Sequence, residues 1–299
     1  MKMNAKAWLN AARPRTLPTS VSPVIAATAY AWAQGCADRG AAAICFAFAL
    51  LAQIASNFGN DYFDYKKGAD RADREGPRRA VAAGDISPRA MLTATVATLG
   101  VACAAGCLLI PVAGWWLVAA GAAIAVAALA YSAGPYPLSY HGLGDVTVWT
   151  FFGLVAVNLT YYVQALTFDV DVFLCSAAMG LLSVNILIVN NYRDYDDDKA
   201  AGKRTTVVLF GRRFARIAYR LNGIAALLLV VDVWTAAGAA GIILLHIYVV
   251  LHLKSCRSLS TLTGRELNKV LGMTARNQLI FTLLLVTAIA LAKFGITLF

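Results

Sequence analysis

Residues 40–66 read GAAAICFAFALLAQIASNFGNDYFDYK, in which the uncharged, mostly apolar run 40–60 leads directly into two aspartates, Asp61 and Asp64. A helix needs about 20 mostly apolar residues to cross the hydrocarbon core of a bilayer, and residues 40–60 supply that length. Acidic side chains at membrane depth are costly and are usually functional. This stretch therefore predicts a membrane-spanning helix that ends in a functional polar group.

The composition of the whole chain also indicates a membrane protein. Of its 299 residues, 60% are hydrophobic and 14% are charged, whereas a soluble domain carries about 25% charged residues. The mean hydropathy is +0.64. The 6 cysteines are scattered without a CxxC pair, which argues against a disulfide framework and a zinc site.

Further uncharged runs predict nine transmembrane helices in a single domain, residues 1–299, so the expected fold class is all-α and polytopic. The predicted spans lie in residues 16–37, 40–60, 90–144 (two spans, broken at 111–114), 146–168, 172–192, 221–253 (two spans, broken near 236–241) and 277–299. The first run follows Arg13 and Arg15 without a tidy cleavage site, so we expect no cleavable signal peptide.

The basic residues are distributed unequally between the two sides that nine spans define. All but Arg39 and Lys293 of the 26 Lys and Arg residues fall in the N-terminus or in the loops after spans 2, 4, 6 and 8. The positive-inside rule places this side in the cytoplasm. We therefore attribute the net charge of +10 to membrane orientation and expect no nucleic-acid partner.

Acidic residues form two clusters on the same side, after spans 2 and 6. The first cluster is Asp61, Asp64, Asp70, Asp73 and Glu75, and the second is Asp194, Asp196, Asp197 and Asp198. The clusters match as NxxxDYxDxK at an offset of 133, and a register with an offset of 130 also aligns them. Either register indicates a parallel internal repeat, because the two spans are four apart and point the same way.

The spacing within each cluster predicts a polar stripe on one helix face. The stripes are Asn57, Asn60, Asp61 and Asp64, and then Asn190, Asp194, Asp197 and Asp198. Two carboxylate stripes at one depth repel each other unless a cation lies between them. Mg²⁺ suits such a site, because it is usually bound by one or two carboxylates together with phosphates. The alternative interpretation is a solvated acidic cap on two helices.

Basic residues follow each acidic cluster. Gly76-Pro77-Arg78-Arg79 comes after the first cluster, and Gly202-Lys203-Arg204-Thr205 comes after the second. Arginine binds phosphate oxygens in pairs, and lysine supplies a point charge. Membrane orientation alone explains how many basic residues there are, but not their place beside the acidic clusters. Metal and basic side chains together predict a diphosphate site.

These motifs resemble those of the UbiA-type intramembrane aromatic prenyltransferases over essentially the whole chain. The resemblance implies nine helices and Mg²⁺-dependent transfer of a polyprenyl chain from an allylic diphosphate to an aromatic ring. The segments 11–18, 76–79, 151–157, 161–164 and 190–194 resemble the branch that prenylates 1,4-dihydroxy-2-naphthoate with loss of CO₂ in menaquinone biosynthesis. That branch implies a bacterial cytoplasmic (inner) membrane with the active site facing the cytoplasm. The expected partners are a polyprenyl diphosphate, an aromatic naphthoate and membrane lipid.

The resemblance also implies roles for individual residues. Catalytic roles fall to Asp61, Asp64, Asp194 and Asp198, and metal binding falls to these four and Asp70. Diphosphate binding falls to Asn60, Arg78, Arg79, Arg193 and Lys203. The family pattern places a further aspartate at position 68, where this chain has Gly68, and Asp70 is the candidate to replace it. Candidates to stabilise an allylic cation are Tyr62, Tyr65, Tyr131 and Tyr195.

Three other functions compete with this one. The first is prenylation of another aromatic acceptor such as 4-hydroxybenzoate. The second is a membrane cation transporter, but acidic residues with Arg and Lys beside them suit an anionic diphosphate better than a permeating cation. The third is a phosphatidyltransferase of the CDP-alcohol type, for which the chain lacks a DGxxAR run. Asp145 is a candidate contact for an aromatic substrate or, equally, a charge that favours a helix dipole.

Overall fold

All regular secondary structure in the described part of the chain is helical, and this part contains no strand. The structure is a computed structural model, and it describes residues 5–68 and 75–296. Asp70 and Asp73 therefore lie outside the described residues. The helices are α1 Ala5–Ala12, α2 Pro18–Ala33, α3 Arg39–Lys66, α4 Pro88–Cys107, α5 Ile110–Ala113, α6 Trp116–Ala130, α7 Gly144–Trp149, α8 Ala156–Ala165, α9 Val170–Arg193, α10 Tyr195–Ala200, α11 Thr206–Leu229, α12 Val231–Ala236, α13 Gly238–Thr261 and α14 Leu267–Lys293. A π-helical segment, Thr150–Val155, joins α7 to α8.

Among the described residues, six helical segments are long and apolar enough to cross a membrane. They are Arg39–Lys66, Pro88–Cys107, Gly144–Ala165, Val170–Arg193, Gly238–Thr261 and Gly264–Lys293. The other three predicted spans correspond to α2 with 16 residues, α6 with 15 residues, and the part of α11 that follows its arginines. The protein is thus an integral membrane protein, and nine spans remain a prediction.

Two of the predicted breaks lie where glycine adopts a positive φ. Gly114, with φ +93°, separates α5 from α6, and Gly238, with φ +61°, begins α13. Only glycine adopts such angles readily, which is why these positions end apolar runs that would otherwise continue as helix.

The two acidic motifs lie differently relative to the long helix that carries or precedes each of them. Asp61 and Asp64 lie inside the last turns of α3, which continues to Lys66, rather than after the helix. The second motif is not on one continuous helix, because α9 ends at Arg193 and Asp194 has non-helical angles before α10 begins. The first polar stripe is therefore helical, whereas the second is broken at Asp194.

Helix α3 carries the first motif to one end of the molecule. Asp38 caps its start by accepting a hydrogen bond from the Ala41 amide at 2.9 Å, and its 28 residues reach about 42 Å at 1.5 Å per residue. Arg39 therefore lies at the opposite end from Asp64. Lys293 also lies at that opposite end, where its Nζ donates to the carbonyl of Trp32 at the end of α2 at 2.6 Å.

Helix α9 forms the centre of the bundle. In the apolar 18-residue stretch of α9, 72% of the residues are buried inside the protein, whereas 22% are buried in the corresponding stretches of α3 and α4. It lies against the π-helical segment at two glycines, where a Cβ on Gly153 would be 2.5 Å from the Ser176 carbonyl oxygen. This close contact fixes the side chains of α7 and the π-helical segment relative to α9 and to the motif at its end.

Candidate active site

A cavity of about 490 Å³ lies between these helices and is polar at one end. Its polar lining includes Asn60, Asp64, Arg79, Asp194, Asp198 and Lys203. Its apolar lining includes Phe48, Cys103, Leu117, Val118, Phe151 and Val163. The structure thus brings six of the residues predicted for the site to one end of a largely apolar chamber.

One carboxylate from each motif approaches the same ammonium group. Lys203 Nζ lies 3.4 Å from Asp64 Oδ2 and 3.6 Å from Asp198 Oδ1. All three side chains are largely buried, with exposed fractions of 15% for Lys203, 3% for Asp64 and 11% for Asp198. The two carboxylates thus share one cation, although 134 positions separate them in the sequence.

Tyr140 is a residue of this group that the sequence did not reveal. Its hydroxyl donates to Asp64 Oδ1 at 3.0 Å. Its ring lies beneath two ammonium groups, with Lys67 Nζ at 4.7 Å and Lys203 Nζ at 4.8 Å from the ring centroid. Tyr140 therefore both orients Asp64 and supports the lysines by cation–π contact.

The segment between α6 and α7, residues 131–143, connects the two motifs. Ser132 Oγ donates to Asn60 Oδ1 at 2.5 Å, and Lys67 Nζ donates to the Ser132 carbonyl at 2.8 Å. On the other side, the Arg204 amide donates to the Tyr140 carbonyl at 2.9 Å. This connecting segment holds the end of α3 against the loop that carries Lys203.

Asp61 supports the loop that follows the first motif rather than lining the cavity. Its carboxylate accepts hydrogen bonds from the backbone amides of Ala80 at 3.0 Å and Val81 at 3.3 Å. The side chain is only 2% exposed. Asp61 thereby fixes the position of the preceding residue, Arg79, which does line the cavity.

Arg78 and Arg79 have separate surroundings. Arg79 lies 3.8 Å from Asp64 Oδ2 and is 12% exposed, whereas Arg78 is 69% exposed and lies 2.8 Å from Asp85. The hydrogen bonds from Arg78 hold the pKa of the Asp85 carboxyl below its usual value. The structure therefore places Arg79 in the predicted site and leaves Arg78 outside the cavity lining, drawn away by Asp85.

Arg193 and Asp194 form a buried pair at the end of α9. Arg193 donates to both oxygens of Asp194, at 2.7 and 2.8 Å, and to Asn190 at 2.7 Å. It also donates to Asn268 on α14 at 2.9 Å. Asp194 lines the cavity and Arg193 does not, so Arg193 orients Asp194 and ties the motif to α14.

The aromatic candidates also separate. Tyr131 lines the cavity, whereas Tyr62 packs in a core cluster with Phe58 and Met91. Tyr65 is 42% exposed, and the ring of Tyr195 lies 4.7 Å from the Arg212 guanidinium. Tyr131 is thus the candidate that the structure brings to the cavity.

The donor set at the polar end suits a hard divalent cation. No group of three or more His, Cys, Asp or Glu side chains arranged for a metal occurs within residues 5–68 and 75–296. The described residues instead offer Asp64 and Asp198 on either side of a cationic group. Two carboxylates are the usual protein contribution to a Mg²⁺ site completed by phosphates and water.

The sequence of this chain is also similar to that of a known protein family. The model of the UbiA prenyltransferase family matches residues 20–271. The chain belongs to this family. It is therefore an integral-membrane prenyltransferase.

Relatives within the UbiA prenyltransferase family include enzymes named for a naphthoate acceptor. The 1,4-dihydroxy-2-naphthoate octaprenyltransferase of Escherichia coli is 39% identical over 218 residues, covering 71% of this chain and 70% of that protein. The protein of the same name from Mycobacterium tuberculosis is 39% identical over 214 residues, covering 71% and 73%. Both relatives are therefore similar to this chain in sequence over more than two thirds of its length.

A solved UbiA structure shows the same fold. The UbiA homologue from Archaeoglobus fulgidus, bound to GPP and Mg²⁺, has a TM-score of 0.67 and 15% identity, covering 94% of this chain and 99% of that chain. At this identity the likeness concerns the arrangement of helices only. It confirms an all-helical UbiA fold for this chain.

Proposed function

We propose that this UbiA prenyltransferase transfers a polyprenyl chain from an allylic diphosphate to 1,4-dihydroxy-2-naphthoate, with Mg²⁺ and with loss of CO₂, giving demethylmenaquinol. The observation that carries the proposal is the convergence of Asp64, Asp198 and Lys203 at the polar end of the cavity. The names of the relatives support the naphthoate as acceptor.

Asp64 and Asp198 would hold the metal, with Asp61, Asp70 and Asp194 as further candidates from the motifs. The position that Lys203 Nζ occupies between the two carboxylates is already one where positive charge is stabilised. Bound Mg²⁺ would supply Lewis-acid stabilisation of the charge that develops on the diphosphate. Asn60 lies beside this group and lines the same end of the cavity.

Lys203 and Arg79 bind the diphosphate. Both line the polar end of the cavity and both lie within 4 Å of Asp64, so an anion there would contact cations from both loops. Arginine adds paired hydrogen bonds to phosphate oxygens. In this arrangement the residues of the chain neutralise the leaving group as the allylic carbon–oxygen bond breaks.

The apolar end of the cavity accepts the prenyl chain and excludes water from the allylic cation. Phe48, Leu117, Phe151 and Val163 form part of this wall. An apolar wall is needed because water would otherwise capture the cation before the ring carbon does. Tyr131 contributes an aromatic ring to the same cavity.

The orientation in the membrane follows from charge. The basic residues gather at the end of the molecule that carries both acidic motifs, so the positive-inside rule places that end in the cytoplasm. The proposed location is the bacterial inner membrane, with the active site on its cytoplasmic side.

Two alternatives make different predictions. A prenyltransferase specific for 4-hydroxybenzoate would keep the fold and the diphosphate site but use another acceptor. A cation transporter would need a path on which cations are not repelled, whereas Lys203 and Arg79 stand beside the acidic groups. Membership of a prenyltransferase family disfavours the transporter.

The experiment is an acceptor competition. Purified protein receives Mg²⁺, a polyprenyl diphosphate and equal amounts of 1,4-dihydroxy-2-naphthoate and 4-hydroxybenzoate, and the products are identified by mass spectrometry. We expect prenylated naphthoquinol as the main product and one CO₂ for each transfer. Prenylated hydroxybenzoate as the main product would contradict the acceptor, and metal-ion flux in proteoliposomes without any prenylated product would contradict the enzyme.

A further inference from the structure

Asp145 contributes a carboxylate to the same cavity, and this carboxylate belongs to neither the proposed metal site nor the proposed diphosphate site. It lies near the start of α7 and lines the cavity together with Val148 and Phe152 of the same continuous helix. Its Oδ2 accepts a hydrogen bond from Thr206 Oγ1. Its Oδ1 is buried and has no hydrogen-bond partner among the described residues. A buried carboxylate oxygen without a partner is unfavourable, so this position favours a ligand that donates a hydrogen bond.

The surroundings of Asp145 match a flat aromatic ring that carries a hydroxyl group. Phe152 and Val148 supply apolar surface. Tyr131 packs closely against the start of the same helix, because a Cβ on Gly144 would lie 3.4 Å from its hydroxyl. An ionised diphosphate has no hydrogen to donate to Asp145 Oδ1, whereas the aromatic acceptor carries hydroxyl groups that can donate one. The aromatic acceptor, rather than the prenyl diphosphate, therefore suits the part of the cavity that Asp145, Val148 and Phe152 line.

Asp145 is also tied to the group that would bind the diphosphate. Its partner Thr206 begins α11, three residues after Lys203, and Lys203 lies 3.4 Å from Asp64. A single short segment, residues 203–206, therefore contacts both carboxylates. Asp145 and Lys203 both line the cavity, so a ring held at Asp145 and a donor held at Lys203 would share the same chamber.

We propose that Asp145 accepts a hydrogen bond from the acceptor hydroxyl adjacent to the carboxylated ring carbon and takes its proton while the new bond forms. This inference rests on the proposed function. Electron release from that oxygen reaches the adjacent carbon directly, whereas the hydroxyl across the ring is meta to it. The hydroxyl at position 1 of 1,4-dihydroxy-2-naphthoate is therefore the one that Asp145 engages.

The step balances without any further reactant. As the proton passes to Asp145, the ring carbon bonds to the prenyl carbon, and the carbon–oxygen bond of the donor breaks with its electron pair leaving on diphosphate. The bond to the carboxylate then breaks, CO₂ departs and its electron pair restores the aromatic ring. The ring oxygen takes the proton back from Asp145, so no net proton is transferred.

The test combines a variant with a modified acceptor. The kcat/KM of wild-type protein, Asp145→Asn and the control Asp232→Asn, an exposed residue near the opposite end, is measured with 1,4-dihydroxy-2-naphthoate and with its 1-O-methyl ether. In wild type and in Asp232→Asn we expect methylation to lower kcat/KM about a hundredfold, within the range of general base catalysis. In Asp145→Asn we expect a loss of about a hundredfold on the unmodified acceptor and little further loss on methylation.

The outcomes separate the two proposals. Two results would overturn this inference alone, provided that the wild type prenylates the naphthoate. In the first, Asp145→Asn is as active as wild type. In the second, the loss caused by Asp145→Asn and the loss caused by methylation of the acceptor multiply. A wild type that prenylates no naphthoate overturns the proposed function and this inference with it. The KM for the prenyl diphosphate should stay within about twofold in Asp145→Asn. If this variant does not fold, Thr206→Val provides the second test, and unchanged acceptor kcat/KM in Thr206→Val would contradict the inference.

Discussion

At the scale of single residues, Arg78 and Arg79 show how neighbours in the sequence acquire different roles. Nothing in Gly76-Pro77-Arg78-Arg79 distinguishes the two arginines, and both fit phosphate binding equally well. The difference comes from Asp85, which pairs with Arg78, and from Asp61, which fixes the backbone just after Arg79. Both partners depend on how the loop folds back, which local sequence does not specify.

This difference leads to a prediction about donor binding. Arg79→Ala should raise the Kd for a prenyl diphosphate by about tenfold or more, because a charge-assisted contact with phosphate is lost. Arg78→Ala should have a clearly smaller effect, since its guanidinium is exposed and paired with Asp85. Titration with a non-hydrolysable donor analogue measures both. A larger effect in Arg78→Ala would contradict the placement of the two side chains.

Tyr140 allows a second prediction at this scale. Tyr140→Phe keeps the ring beneath Lys67 and Lys203 but removes the hydroxyl that donates to Asp64. A hydrogen bond to a charged group contributes about 1.5–3 kcal/mol, so turnover should fall about tenfold to a hundredfold at limiting Mg²⁺. Saturating Mg²⁺ should restore part of the loss, because a loosely oriented Asp64 still binds metal. Equal turnover at all Mg²⁺ concentrations would show that the hydroxyl does not orient Asp64.

Gly68 lies where the resemblance to the family implies an aspartate, and in this chain it ends α3. It has a φ of +67° and follows the last residues of α3, whose carbonyls accept hydrogen bonds from the Lys67 and Gly68 amides. Glycine adopts this left-handed conformation without the steric cost that a Cβ adds, which makes it the commonest residue just after a helix. The position that the family pattern gives to a carboxylate is therefore used here to end the helix.

At the scale of the elements, the contact between α9 and the π-helical segment sets the position of the cavity wall. A Cβ on Gly153 would lie 2.5 Å from the Ser176 carbonyl oxygen, and a Cβ on Gly180 would lie 2.7 Å from the Trp149 carbonyl oxygen. Neither carbonyl belongs to a flexible side chain that could move aside. Both glycines are therefore required by the close approach of two backbones.

The corresponding prediction concerns stability. Gly153→Ala should destabilise the protein by about 1–3 kcal/mol, the usual cost of overpacking, and should lower its thermal unfolding temperature in detergent. Gly100→Ala is the matched control, because a Cβ there has no atom within 4 Å. That variant should be neutral or slightly more stable. Equal unfolding temperatures for the two variants would contradict the contact.

The apolar elements were largely predictable from the sequence, whereas the segment that joins the motifs was not. Long uncharged runs predicted α3, α4, α9 and α14, because membrane depth imposes a length and a composition on each span. Residues 131–143 connect the motifs through hydrogen bonds from Ser132 to Asn60 and from Tyr140 to Asp64. These partners are 72 and 76 positions apart, and no periodicity encodes such pairings.

The second motif illustrates the same limit at a helix end. Helical spacing predicted one stripe from Asn190 to Asp198, but α9 ends at Arg193. Arg193 there donates to Asp194, Asn190 and Asn268. The bond to Asn268 depends on the packing of α14, so the helix end is fixed by tertiary structure.

At the scale of the whole molecule, the two ends carry different charge, and this predicts orientation. Thr263 lies exposed in the loop between α13 and α14, and Ala37 lies exposed between α2 and α3 at the opposite end. In a chain without other cysteines, an impermeant thiol reagent applied to intact cells should label Ala37→Cys and spare Thr263→Cys. The reverse pattern would place the two acidic motifs on the outer side.

The fold as a whole brings together two motifs that are distant in the sequence, and we propose that they form one site for a metal and a diphosphate. If Asp64 and Asp198 act on the same group, removing either should cost about as much turnover as removing both. If they act separately, the losses in free energy should add.

Turnover of Asp64→Asn, Asp198→Asn and the double variant, at saturating Mg²⁺ and prenyl diphosphate, tests this most directly. Asp232→Asn serves as the matched control and should retain most activity. We predict that each single variant loses turnover by about two orders of magnitude or more and that the double variant loses little further. Near-wild-type turnover in the single variants, or losses that multiply in the double variant, would contradict a shared metal and diphosphate site.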